Sequence, residues 1–496
     1  MTTASSVRRD AASAADDWRV LLDAGADWIG RWTEPVGIPL AVTDPATGSV
    51  IGSVPDLGVA HARAAIEEAR SALPAWRALL PRQRADLLME WRRLILANSE
   101  SLAQLLTLEQ GKPVADARGE IAYGAEFIRW FAEEANRVYG EVIPSHLPGR
   151  KMFVQREPIG VVGLVTPWNF PSAMLTRKAA AALAAGCTAV AVPSMETPFS
   201  ALALAALADQ AGLPRGVFSV LTGEPQALVG ELCRNSDVRA LSFTGSTRVG
   251  RLIAAQCAPT LKRVALELGG HAPFLIFPDA DIEAAARAAV DAKFQTSGQD
   301  CLAANRIFVH QDVYAAFVEA FVRSAANLKV GVGSDPATDL GPLINRASFA
   351  KSAEHVADAL AKGARLALGG TPTAQDTLLF PPTVLTEVTP DMKIMREETF
   401  GPVAAILAFS SEAEVVRAAN DTDYGLVAYV FTRDLSRAHR LGDALDYGMV
   451  AINTMQLTGA PIPFGGVKQS GLGREGSRHG VDDYTELKYI CMAIQP

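Results

Sequence analysis

Three short segments of this chain carry side chains that could do chemistry together. The first is Phe294-Gln295-Thr296-Ser297-Gly298-Gln299-Asp300-Cys301, where a thiol follows a long alanine-rich helical pattern at a polar, glycine-containing turn. Such a turn can expose a sulfur, and an exposed thiolate is a strong nucleophile, although a lone cysteine is more often inert apolar filler. The second is Val264-Ala265-Leu266-Glu267-Leu268-Gly269-Gly270-His271, where a carboxylate interrupts an apolar strand pattern. A residue so placed is either a paired structural charge or a functional one. If buried, its pKa rises, which suits a general base for water near neutral pH. The third is Thr166-Pro167-Trp168-Asn169-Phe170-Pro171, a stiff turn after the apolar run Val161–Val165. The Asn169 amide is a suitable donor to an oxyanion; otherwise the segment is a rigid turn with two packed aromatics.

The elements around these segments must bring them together. From Val161 the chain shows short β-rich runs at 161–165, 188–192, 217–221 and 240–243, with helical segments at 175–185, 199–211 and 225–234 between them. This is the sequence form of βαβ units, and a doubly wound parallel sheet places its ligand crevice at the carboxyl ends of the strands. Runs at 264–268 and 274–277 lead into a further alternation to about Asn453, long enough for a second α/β lobe. Two lobes imply a cleft. Residues 63–101 and 115–138 carry apolar residues at helical spacing, and alternating Phe153, Gln155 and Glu157 predict a strand before Pro158.

Two glycine patterns compete as a phosphate cradle. Gly471-Leu472-Gly473-Arg474-Glu475-Gly476 fits the G-x-G-x-x-G dinucleotide fingerprint, but too little chain follows it to build a βαβ unit. Gly245-Ser246-Thr247-Arg248-Val249-Gly250 is the better cradle, because it follows a strand and opens the helical run 249–257. A helix N-terminus presents free N–H groups to an anion.

The chain has 496 residues, 49% of them apolar and 20% charged, which is globular composition with a large core. Its formal net charge of −8, without a dense basic run, argues against nucleic acid as a partner. The five cysteines are scattered without metal-like spacing, which fits a reduced, cytoplasmic setting. The longest mostly apolar stretch, 179–192, contains Gly186, Cys187 and Thr188 and ends at Pro193, too short to span a bilayer, so no membrane is expected. Residues 1–17 lack the apolar segment of a secretory signal and read as a frayed tail.

Taken in order, these segments and several others resemble the aldehyde dehydrogenase superfamily over nearly the whole chain. The matching motifs are Asp44-Pro45-Ala46-Thr47-Gly48, Glu109-Gln110-Gly111-Lys112-Pro113, the Thr166 to Pro171 turn, Phe243-Thr244-Gly245-Ser246-Thr247, Glu267-Leu268-Gly269-Gly270, Gly298-Gln299-Asp300-Cys301, Glu397-Glu398-Thr399-Phe400-Gly401-Pro402 and Pro463-Phe464-Gly465-Gly466-Val467-Lys468. Within the superfamily the chain is most similar to succinate-semialdehyde dehydrogenases, from Met174-Leu175-Thr176-Arg177-Lys178 and the segment Ser470 to Gly476.

The resemblance implies a Rossmann-like cofactor domain over 1–139 and 156–265, an α/β catalytic domain over 266–453, and a small β oligomerisation arm from 140–155 and 482–496. It implies NAD or NADP as cofactor and oxidation of an aldehyde to a carboxylic acid. In that chemistry Cys301 attacks the aldehyde, Asn169 and the Cys301 N–H hold the oxyanion, and Glu267 activates water against the thioester. Lys178 and Glu475 support the site by hydrogen bonding. Thr166, Trp168, Gly245, Ser246, Gly250, Glu398 and Phe400 would bind the cofactor. The arm implies a homodimer or homotetramer.

Three departures from the family pattern matter. Val192-Pro193-Ser194-Met195 stands where the family usually has K-P-[SA]-E, so both polar ribose ligands are missing, and NAD against NADP stays open. Glu196 is expected to point away from the cleft. Arg177 matches one of the arginines that hold a substrate carboxylate, whereas the second position, Gln295, is not an arginine. The substrate is therefore succinate semialdehyde, another semialdehyde or an uncharged aldehyde. Ala303 removes the neighbouring thiol that some relatives use as a switch. A CoA-acylating enzyme usually lacks the general base and a non-catalytic member should have lost Cys301 or Glu267; both residues are present.

Overall fold

The computed structural model describes residues 17–32, 36–370 and 377–494. The frayed tail expected at 1–17 therefore lies, apart from Asp17, outside the described residues. The 63–101 helical region belongs to a set of three helices, Val59–Ala78, Pro81–Ala97 and Ser99–Gln110. The first break falls at Leu79 and Leu80, whose backbones are extended before Pro81, as the residue preceding a proline prefers.

A six-stranded sheet runs in the order Gly471–Leu472, Arg263–Glu267, Val238–Thr244, Val161–Val165, Thr188–Val192, Phe218–Val220. All its pairings are parallel except that of Gly471–Leu472, which is antiparallel to Arg263–Glu267 and sets Gly471 opposite Glu267. The glycine-rich segment that mimics a dinucleotide fingerprint is thus an edge strand closing over the Glu267 strand. The central strands are buried on both faces, which is why they read as continuous apolar runs. The helix Pro171–Ala185 is buried at every residue and begins four residues earlier than its apolar pattern shows, because Pro171 takes the first helical position.

The second sheet has seven strands in the order Arg365–Leu368, Thr383–Thr386, Val403–Phe409, Ala304–His310, Ala272–Ile276, Val427–Phe431, Met449–Ile452. It is parallel except for the Arg365–Leu368 edge. The division expected at 265/266 falls inside the strand Arg263–Glu267; the chain passes from the first sheet to the second across Gly269 and Gly270. A third, antiparallel sheet joins Thr485–Ala493, Arg150–Pro158 and Glu141–Ile143. Among the described residues no helix is long and apolar enough to cross a membrane.

Candidate active site

The helix Ile282–Phe294 ends in a turn that reverses backbone handedness. Thr296, Ser297 and Gly298 have φ of 50°, 57° and 71°, a left-handed run that costs non-glycine residues on the order of 1 kcal/mol each and commonly marks functional sites. The Ser297 hydroxyl donates to Gly341 O at 2.7 Å, and a Cβ on Gly298 would lie 2.3 Å from Gly401 O. The turn delivers Cys301, half-buried, to the shared wall of two cavities. One, of about 510 Å³, is lined by Tyr123, Arg177, Gln295, Thr458 and Phe464. The other, of about 550 Å³, is lined by Trp168, Asn169, Gly245, Ser246, Glu398 and Phe400. Burial, with the carboxylates of Asp300 and Glu398 nearby, pushes the Cys301 thiol well above its ordinary pKa.

Asn169 is held between its strand and Pro171, and its Nδ2 donates to Gln299 O at 3.1 Å, two residues before Cys301. Glu267 ends its strand in a buried position, lines neither cavity, and has one carboxylate oxygen without a hydrogen bond among the described residues. Burial and the negative charge of Glu475 raise its pKa well above the ordinary carboxylate range. A Cβ on Gly465 would meet its other oxygen at 2.8 Å, so Gly465 leaves room for the carboxylate.

Arg177 and Lys178 are adjacent on the buried helix and share one counter-ion. Glu475 pairs with Arg177 Nε at 2.5 Å and accepts from Lys178 Nζ, while Lys178 also donates to Ser242 Oγ at 3.0 Å. Lys178 lines neither cavity, whereas Arg177 lines the first one, its guanidinium 4.5 Å from the centroid of the Phe464 ring. Gln295 is exposed at the same cavity.

The second cavity is a cleft at the carboxyl ends of the first sheet. Ser246 caps the helix Thr247–Cys257, and the Thr244 hydroxyl is buried at this cleft without a protein partner among the described residues; the Thr166 hydroxyl is likewise buried and unpartnered among them, but Thr166 lines neither cavity. Phe400 has φ of 55° and packs edge-on against Trp168 at 5.4 Å between centroids. Glu398 accepts from Gly270 N at 2.9 Å, and burial pushes its pKa up to about 7. Gly250 does not line the cleft: a Cβ there would lie 2.4 Å from Leu268 Cδ2, so the glycine lets the helix pack against the chain that follows Glu267. Met195 is turned toward the backbone, where its Sδ accepts from Gly223 N at 3.4 Å. Glu196 lines neither cavity. Its carboxylate accepts from Ser194 Oγ and, at 3.4 Å, from Asn345 Nδ2, and Asn345 lines the cleft.

Residues 32–490 match the model of the Aldehyde dehydrogenase family. The chain belongs to the aldehyde dehydrogenase family. A non-phosphorylating aspartate-semialdehyde dehydrogenase of Halomonas elongata is 54% identical, with 93% of this chain and 94% of that protein covered. An NADP(+) succinate-semialdehyde dehydrogenase of Escherichia coli is 51% identical, with 94% and 97% covered. The crystal structure of succinate-semialdehyde dehydrogenase from Burkholderia pseudomallei superposes with a TM-score of 0.91 at 52% identity, covering 92% of this chain and 95% of that one.

Several polar groups of this aldehyde dehydrogenase's site were not singled out from the sequence. Lys351, whose Nζ donates to Glu398 O, lines the second cavity; Tyr123 and Thr458 line the cavity with Arg177. Tyr123 and Lys351 lie at ordinary helical positions, and no local pattern distinguishes them from surface polar residues.

Proposed function

We propose that this enzyme oxidises succinate semialdehyde, or another short aldehyde bearing an anionic group, to the acid. The observation that carries the substrate class is Arg177 in the same cavity as Cys301: a guanidinium there matches a carboxylate at the far end of the aldehyde. Gln295 supplies a neutral hydrogen bond on the same wall. The relatives named above act, by their names, on aldehydes of this kind, which supports the reading.

The Cys301 sulfur attacks the aldehyde carbon after losing its proton, and the resulting oxyanion takes hydrogen bonds from Asn169 Nδ2 and the Cys301 N–H. One such donor typically contributes about 10²- to 10³-fold in rate. Gly245, Ser246, Thr166, Trp168, Glu398 and Phe400 would hold NAD or NADP, which would supply the hydride acceptor. Glu267, whose raised pKa suits a base near neutral pH, then takes a proton from the water that hydrolyses the thioester. In this reading the first sheet carries the cofactor and the second presents the nucleophile. We assign the three-stranded sheet to subunit contact in a cytoplasmic homodimer or homotetramer, because Val142, Leu487, Tyr489 and Met492 are exposed on it.

The test follows reduced cofactor at 340 nm. Cys301→Ala abolishes turnover, and Glu267→Gln gives a burst of about one equivalent and then stalls as acyl-enzyme. The native enzyme should show kcat/KM at least tenfold higher for succinate semialdehyde than for an uncharged aldehyde of equal length, consistent with about 1.5–3 kcal/mol for a charged hydrogen bond. Equal values would refute the substrate class, and steady turnover in either variant would refute the residue roles.

A further inference from the structure

Lys112 and Glu120 form an ion pair at 2.7 Å whose side chains are both 0% exposed. Burying two charges is costly, and a pair of apolar residues would fill the same volume without that cost. What the pair touches distinguishes it from filler. Lys112 Nζ also donates to Asn169 O at 2.6 Å and sits 3.9 Å from the centroid of the Phe170 ring. The second oxygen of Glu120 accepts from Ser172 N at 2.9 Å and Ala173 N at 3.1 Å. Those N–H groups open the helix Pro171–Ala185, and its N-cap residue, Phe170, has a side chain that cannot accept them. Glu120 therefore caps the helix from a neighbouring helix.

One ion pair thus holds the turn from both sides: its cation binds the carbonyl of Asn169, and its anion binds the amides that follow Pro171. We propose that Lys112 and Glu120 are positioning residues for Asn169, fixing the main chain from which its Nδ2 reaches the oxyanion. This rests on the assignment of Asn169 as oxyanion donor. Lys112 is itself placed by a sharp turn. Gly111 has φ of 93°, a Cβ there would lie 2.6 Å from Pro342 Cγ, and Gln110 Oε1 accepts from Lys112 N at 2.9 Å. Displacing a catalytic donor by about 1 Å can cost about 10²-fold in rate, so a tether on the backbone of Asn169 acts on kcat.

The experiment is a double-mutant cycle on the full-length enzyme, with folding checked by circular dichroism and melting. The charge-free variant Lys112→Met/Glu120→Gln should lower kcat about 10- to 100-fold while the KM values for aldehyde and cofactor change less than about threefold. In the Asn169→Ala background, which keeps the carbonyl but removes the donor, the same two substitutions should lower kcat less than about threefold. If the charge-free variant does not fold, Glu120→Gln alone, which retains one acceptor for the helix amides, carries the comparison with a several-fold loss. Equal losses in both backgrounds, or no loss in either, would overturn the positioning role alone. Full kcat in Asn169→Ala would overturn the donor assignment beneath it.

Discussion

Gly270 is where the chain that follows Glu267, the Cys301 segment and Glu398 of the second cavity meet, and Gly270→Ala separates their contributions. A Cβ at this position would lie 2.3 Å from the carbonyl oxygen of Cys301. Carbon and oxygen atoms in weak contact stay about 3.3 Å apart or more, so roughly 1 Å must be found. The Cys301 segment cannot readily give it, because Leu302 N is bound to Asp300 Oδ1 at 2.9 Å and Ala303 N to Asp300 O at 3.1 Å. Gly270 cannot readily move either, since its N–H is bound to Glu398. Overpacking of this kind costs about 1–3 kcal/mol of stability, and a shift of about 1 Å in the nucleophile costs about 10²-fold in rate. We expect kcat, followed at 340 nm, to fall about 100-fold with a melting point lower by only a few degrees. Gly269→Ala is the control: its Cβ would meet the flexible end of Glu398, Oε2 at 2.9 Å, so its effect should fall on the cofactor KM. A Gly270→Ala enzyme with kcat within threefold of the parent would refute this account of how the nucleophile is placed.

The remaining predictions concern charge. The raised pKa values of Glu267 and Cys301 mean that both groups lose their protons only as pH rises above their ordinary ranges, so kcat should climb with pH on the acid side. Glu475→Gln removes the anion beside Glu267 and frees Arg177 and Lys178 to favour its carboxylate, so the acid limb should shift to lower pH; a shift to higher pH would contradict the coupling. The same sign governs stability: because folding raises the Glu267 pKa, its contribution is full below the unfolded carboxyl range and is lost as pH rises through the folded value, so Glu267→Gln should gain melting temperature relative to the parent as pH increases. Met195→Glu restores the acceptor that the family pattern has at this position, and it should tighten NAD about tenfold while weakening NADP, read by tryptophan fluorescence titration. Unchanged affinities would show that this position does not face the ribose.

The sequence made the site legible where local pattern and chemistry coincide. The run before Glu267 is apolar because its strand is covered on both sheet faces, and the carboxylate at its end stands out against that background. Cys301 follows a helix and a glycine-containing turn, both visible in residue types, and Asn169 lies between two prolines. Interactions between residues distant in the chain were not legible. The resemblance gave Lys178 and Glu475 supporting roles, but nothing local shows that they pair or that Arg177 shares the same carboxylate. Lys112 and Glu120 belong to or follow a motif quoted without a role, and their purpose emerges only when the helix Val114–Glu134 lies against Pro171–Ala185. Gly250 fits a phosphate cradle by spacing, yet its contact with Leu268 depends on how closely the helix approaches the first sheet.

The seam between the sheets explains why charged groups are concentrated here in spite of their desolvation cost. Glu267 belongs to the first sheet, and Cys301 directly precedes a strand of the second, so their spacing is set by chain crossings and not by one element. The outward crossing is Gly269–Gly270, whose small residues admit the Cys301 carbonyl and Glu398. The return brings Phe464 into paired hydrogen bonds with Glu475, each 2.8 Å, and sets Gly471 opposite Glu267. Ser470 reinforces it by donating to Gly269 O at 2.7 Å, so the outward and return crossings are bonded to each other. Glu475 on the returning segment then reaches Arg177 and Lys178 on the buried helix of the first sheet. Apolar contact alone would let the two sheets slide, because it has no preferred direction. Directional ion pairs and backbone bonds across the seam resist that slide, and they do so within the structure that separates Glu267 from Cys301.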